Sequence, residues 1–412
     1  MPPPTIITNT PITPAAAALQ TSTVGEPSVS ANGLEVLYSG NWFAAHSANA
    51  GQTWNLMSPF TFFPAAAGGF CCDQTLIFIP KLGVHVWVLQ YVKANNTNVL
   101  RIAFKPKQLG TAGGWKWWDL VPANVNPQWA SEWFDYNHCA ISDNFLYVGT
   151  NMFTGATDSF TRATMFRIPF SAFTPSAQLT IDHFSTSSNF SLRCVQGATT
   201  TMYFGSHEGA QGNKLRVFAW PEATTTVNSR VVPVTAWNGS TPYGPVGPGN
   251  ANWIGRCDGR ITGGWLAGGV LGFMWSVNEQ PPLRPFPFVR VARIAEVSMT
   301  RIDEPDIWSK GLAFAYPEAC PNDQDAIGIT LFGGGGTAHP AHLIGVRTAT
   351  GTSWNLRAVV KSTHSPIGDK WGDYLTCRRD HPNGREWVAS GYSLKGGGGI
   401  ANVVPHFVRF RA

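Results

Sequence analysis

Charged residues make up only 13% of this 412-residue chain, about half the usual share, yet they gather at recurring points. Glu26, Asp73, Asp135, Arg193, Arg256, Asp258, Asp323 and Asp373 each stand where a polar cluster opens an apolar run, accompanied by Gln74, Tyr136, His138, Gln196, Asn322 and Tyr374. Two kinds of chemistry suit this set. Hydrolysis of a glycosidic bond needs a pair of carboxyl groups roughly 5–10 Å apart, and Asp73, Asp135 and Asp373 supply candidates. β-Elimination from a uronic acid needs cations that neutralise the sugar carboxylate and a base that takes the neighbouring proton. Arg193 and Arg256 are the candidate clamp, because guanidinium groups grip carboxylates bidentately. His138 or Tyr136 is then the base and Tyr374 the acid. Gln74, Gln196, Glu26 and Asn322 complete the substrate-binding set. Each residue also has a plainer reading, since polar side chains at the ends of strands often hydrogen-bond neighbouring loops. His85, inside the apolar run GVHVWVLQY, reads as a packed histidine, and His207 closes a strand.

The elements that must position these residues are repeats. Cys72, Cys139, Cys194, Cys257, Cys320 and Cys377 recur at intervals of roughly sixty residues, with Cys71 beside the first. Around each lies the same pattern: a polar opening, an apolar strand, a Gly or Asn turn, then further strands. Seven such units are found, including TLIFIP and VHVWVLQYV in the second, TMYFGSH and KLRVFAWP in the fourth, and EWVASGYSL and HFVRF in the seventh. Short alternating strands, about four to a unit, predict an all-β chain: a seven-bladed β-propeller of four-stranded antiparallel blades. Residues 25–412 are read as one propeller domain and residues 1–24 as an extension. Ala15 to Val24 is expected to pair beside Pro405 to Phe410 and close the ring, because an open blade would leave a bare strand edge.

Composition narrows the function. The net charge of +5 is too small and scattered for a nucleic-acid surface, and no apolar run approaches the ~20 residues of a membrane span. Met1 to Thr10 lacks a basic segment followed by an apolar stretch, so it is no secretory signal. Low lysine content and three sequons, at Asn95, Asn189 and Asn238, fit an extracellular protein in its mature form. The cysteines have three readings: small side chains filling a layer between blades, disulfides including a vicinal Cys71–Cys72 bridge, or metal ligands, although their spacing matches no zinc motif. A cofactor is not specified, and a structural calcium ion fits the class. Trp115, Trp117, Trp118, Trp129 and Trp133 form either a carbohydrate platform or packing between units two and three.

The stretch Ser47-Ala48-Asn49-Ala50-Gly51-Gln52-Thr53-Trp54 resembles the Asp-box of the sialidase-like propeller superfamily, with Asn49 at the usual aspartate position. Gly351-Thr352-Ser353-Trp354 is a weaker echo, and Trp371-Gly372-Asp373-Tyr374 is similar to blade openings in extracellular members. The resemblance implies a seven-bladed propeller in which the box is an outer hairpin turn whose Trp packs inward. It does not imply a true sialidase. Those enzymes carry an early Arg-Ile-Pro arginine, whereas the first arginine here is Arg101, and Arg167-Ile168-Pro169 closes a strand of unit three.

Together these readings give an extracellular, carbohydrate-active propeller acting on acidic glycans or polysaccharides, as lyase or glycosidase, at the mouth of a central channel. A non-catalytic lectin or adhesion module is the alternative. The unlike residues at the unit openings favour one asymmetric site over a repeated sugar pocket.

Overall fold

The computed structural model describes residues 2–13, 20–174, 179, 181–209, 212–244, 246–348, 351 and 353–412. Seven four-stranded antiparallel sheets form a seven-bladed β-propeller. The first and innermost strands of blades one to seven are Ser28–Asn32, Phe70–Ile79, Glu132–Ile141, Arg193–Cys194, Ile261–Ala267, Ala313–Pro321 and Thr376–Arg379. No helix among the described residues is long and apolar enough to cross a membrane.

The burial of each strand follows its place in the blade. Val84–Tyr91, second in blade two, is buried at every residue, because a blade interior packs on both faces, and this explains its unbroken apolar run. The outermost strands are wet on one or both faces, as in Lys116–Leu120 and Asn228–Pro233. His85 is fully buried and meets Ser30 Oγ of blade one at 2.8 Å.

Ring closure differs from the expectation in detail. The strand that completes blade seven is Thr5–Pro11, paired antiparallel with Val403–Arg411 as the outermost strand. Of the segment expected there, residues 15–19 lie outside the described residues. Thr21 and Thr23 instead contact residues of blade seven, where Thr23 O accepts from Tyr392 Oη at 2.9 Å.

The cysteines are less uniform than their spacing predicts. Cys139, Cys194, Cys320 and Cys377 lie on first strands, buried and unbridged. Cys257 precedes the first strand of blade five, and Cys72 is bridged to Cys71 in a vicinal disulfide at a bulge in blade two.

Ser47 to Trp54 forms the turn between Ala44–Ser47 and Asn55–Met57, the outer hairpin of blade one. Ser47 Oγ accepts from Gly51 N (2.9 Å), and Asn49 Oδ1 accepts from Thr53 N (2.9 Å). Trp54 is buried 5.5 Å from the Phe407 ring of blade seven. The tryptophans near blade two are packing residues: Trp118 lies against Phe104 and Phe173, and Trp129 lies against His183. Trp117 alone among them keeps a substantial exposed face. Of the sequon asparagines, Asn189 is buried and donates to His207 O, while Asn95 is exposed.

Candidate functional site at the channel mouth

The blades are joined near the axis by one repeated bond. Thr75 Oγ1 donates to Asn137 O, Thr262 Oγ1 to Pro317 O and Thr376 Oγ1 to Pro27 O. In each case a first-strand side chain reaches the next blade. His138 Nε2 makes the same step, donating to Leu192 O. The residue just before each of the three carbonyls on Asn137, Pro317 and Pro27, and before Leu192, has positive φ: Tyr136 (59°), Tyr316 (57°), Glu26 (43°) and Ser191 (58°). Non-glycine residues pay roughly 1 kcal/mol or more for that conformation. Its recurrence in four blades marks a turn that the ring geometry imposes at one mouth. Counted from these bonds, Glu26, Asp73, Tyr136, Ser191, Arg260, Tyr316 and Tyr374 occupy one level of the ring.

This level and the loops above it hold a dense charge cluster. Glu26 and Asp73 are both buried, and each carboxyl perturbs the other. Burial, Asp73 and Asp373 push the Glu26 carboxyl well above its ordinary range. Burial, together with the negative charge of Asp135, pushes Asp73 up to about 7. The pair therefore holds a proton at neutral pH. Glu26 Oε2 is buried with no hydrogen-bond partner. Asp135 accepts from Gln90 Nε2 at 2.9 Å. Asp373 is gripped by Arg256 through two bonds of 3.0 and 2.6 Å. Arg260 forks onto Asp258, with Nε 2.8 Å from Oδ1, and lies 4.4 Å from the Tyr136 ring centroid. The Tyr136 ring meets Tyr374 edge to face at 5.8 Å. Burial raises both phenols, Tyr136 to about 12, so neither is readily ionised to act as a base.

A groove of about 360 Å³ leads away from Asp258 and Arg260, lined by Phe160, Phe190, His207 and Trp237. The deeper layer seals the channel. Arg193 of blade four pairs with Glu318 of blade six, and Arg378 of blade seven reaches the same carboxylate at 3.3 Å. All three are buried.

Of the residues expected to converge, the structure brings together Glu26, Asp73, Asp135, Tyr136, Arg256, Asp373 and Tyr374. It places the others elsewhere. His138 is a buried inter-blade bond, and its imidazole pKa is held well below the ordinary value by burial and the charge of Arg193. A side chain on Gly149 would overlap its ring, so that glycine makes the room for it. Arg193 is spent on Glu318 inside the channel. Gln74 donates to Gly40 O and Phe43 O and accepts from Trp87 Nε1. Gln196 donates to Cys139 O near the far end, and Asn322 caps a turn there through Ala326 N and Gln324 N.

Arg260, Tyr316, Glu318 and Arg378 escaped the sequence reading. The triplets Asp73-Gln74-Thr75, Arg260-Ile261-Thr262 and Tyr374-Leu375-Thr376 carry the signal that locates the first of these. The threonine two residues after the mouth position is the inter-blade donor. Among the described residues, no group of three or more His, Cys, Asp or Glu is placed to hold a metal ion.

No family model matches the chain, and no curated protein matches it. Among solved structures it is similar to a Penicillium chrysogenum alpha-L-arabinanase complexed with arabinobiose, at 11% identity over 98% of each chain with TM-score 0.46. It is similar to a Trypanosoma rangeli sialidase complexed with the inhibitor DANA, at 11% identity over 84% of this chain and 57% of that one with TM-score 0.41. It is also similar to a Dyadobacter fermentans protein of unknown function, at 8% identity over 100% of both chains with TM-score 0.48.

Proposed function

We propose that the protein is an extracellular glycoside hydrolase whose reaction centre is the mouth where the first strands begin. The observation that carries this reading is the buried Glu26–Asp73 pair, which retains a proton at neutral pH beside further carboxyl groups. Glycosidic cleavage needs an acid that donates to the leaving oxygen near operating pH and a second carboxylate across the bond. In this reading Asp73, backed by Glu26, is the acid. Asp135 is the second carboxylate; it is fixed by Gln90 and held by no ion pair among the described residues.

The substrate this site suits is a neutral glycoside. The guanidiniums of this mouth, Arg256 and Arg260, each already face a carboxylate, which leaves no free clamp there for a uronic acid, and the mouth carries more carboxyls than guanidiniums. A lyase also lacks its base, with His138 committed to Leu192 O and both tyrosines raised. The groove past Arg260 offers Trp237, Phe160 and Phe190 as faces for further sugar rings.

The test is incubation with a panel of fluorogenic aryl glycosides and neutral oligosaccharides, reading released fluorophore and new reducing ends. The expected result is turnover of at least one glycoside that Asp73→Asn abolishes. Binding on a glycan array without turnover of any panel member would replace the enzyme with a lectin. Unsaturated products from uronic-acid polymers would restore the lyase.

A further inference from the structure

The mouth at which the first strands end holds a cavity of about 560 Å³, roomier than the groove at the opposite mouth. None of the residues assigned above to hydrolysis lines it. At its floor stands Arg378, 6% exposed. Nη1 of this arginine donates to Glu318 Oε1 at 3.3 Å and to Cys377 O at 2.9 Å, while its Nε is buried with no hydrogen-bond partner. Arg193 takes the same glutamate, so two buried guanidiniums share one carboxylate and the sealed centre is short of one negative charge.

The rim repeats the imbalance. Arg379 donates to the carbonyls of Pro321 (3.2 Å) and Asn322 (3.3 Å), and among the described residues it faces no carboxylate. Lys81 donates to Asn144 Oδ1 at 2.6 Å. Asp143 is the one carboxyl residue in the lining, at its exposed edge. Glu222 stands behind it, taken up by Ser142 Oγ and Asn144 Nδ2 at 2.6 Å each. His381 packs on Phe78 and is kept uncharged at neutral pH by burial and by Arg379.

We propose that this second mouth binds a small ligand through an oxyanion group, a carboxylate or a phosphate, with Arg378 at the floor and Arg379 and Lys81 at the rim. Guanidinium groups match both oxyanions bidentately. Ser30, Ser142 and Thr199 are among the residues lining the remaining volume, which falls within the usual range for small-molecule sites. The site is independent of the hydrolytic reading.

Titration calorimetry on the full chain tests it, with inorganic phosphate, glucuronate and glucose as separate titrants. Saturable one-to-one binding of phosphate or glucuronate, weakened at least tenfold by Arg379→Ala and severalfold by Lys81→Ala, with glucose silent, is the expected result. Which anion binds assigns the source of the oxyanion. Both substitutions lie at the half-buried or exposed rim, and an unchanged circular dichroism spectrum confirms that each variant is folded. Silence with both anions overturns the proposal. So does anion binding that survives both rim substitutions, or that disappears in Arg256→Ala at the other mouth.

Discussion

The two mouths of one channel carry opposite imbalances. Where the first strands begin, Glu26, Asp73, Asp135, Asp258 and Asp373 outnumber Arg256 and Arg260, and the excess is reduced by the proton held on the buried Glu26–Asp73 pair. Where the strands end, Lys81, Arg378 and Arg379 outnumber Asp143, and a guanidinium cannot shed its charge at neutral pH. Between them, Arg193, Glu318 and Arg378 close the passage. Carboxyl groups can store a proton and return it, so the acidic mouth is equipped for chemistry. The basic mouth can only wait for an anion.

The largest expected effect separates the mouths by activity. Asp73→Asn should lower kcat on any cleaved glycoside by about 10²–10⁴-fold, the usual worth of a positioned general acid. Arg379→Ala should leave hydrolysis unchanged, and steady-state rates on the same substrate read both. Next is the seal. Glu318→Ala leaves two buried guanidiniums without their shared carboxylate and should destabilise the fold by about 3–5 kcal/mol, measured by urea denaturation.

The acidic mouth also makes an unusual pH prediction. The Asp73 pKa is raised in the folded protein, from 3.8 to about 7, so the native state binds more protons than the unfolded chain between those values. Stability should therefore be fully present below about pH 4 and decline as pH rises to about 7. The same proton loss should cut activity above about pH 7. Asp73→Asn removes that liability and should raise stability at pH 8 by on the order of 2–4 kcal/mol. A thermal-melt series against pH checks both the slope and its loss in the variant. Destabilisation by Asp73→Asn at pH 8 would make the pair a structural bond.

The smallest effect concerns the belt shared by both mouths. His138→Ala should cost about 1–2 kcal/mol for the lost inter-blade bond and leave the catalytic pH profile unmoved, which a base at that position would not allow.

His138 also shows how far the chain could be read before folding. Its letter suggested catalysis, but its position is that of Thr75, Thr262 and Thr376, and only the bond to Leu192 reveals this. Asp73, Asp135 and Asp373 were legible because charge is scarce and each opens a blade. Arg193 opens a blade too, yet a counter-charge from blade six takes it out of the solvent-facing set. Glu318 was invisible in the apolar stretch AFAYPEACP, since nothing local indicates that a buried glutamate will face two arginines from other blades.

The alternation of short apolar runs with Gly and Asn turns was enough to determine strands, blade count and one propeller, because each blade is built from neighbours in sequence. Which strand closed the ring was decided by contacts between the chain ends, and Thr5–Pro11 won that place by pairing with Val403–Arg411. Protonation at one mouth and surplus positive charge at the other depend on charges brought together from several blades at a shared level of the axis. Such distances exist only after closure, and electrostatic energy depends on distance and burial rather than on order in the chain.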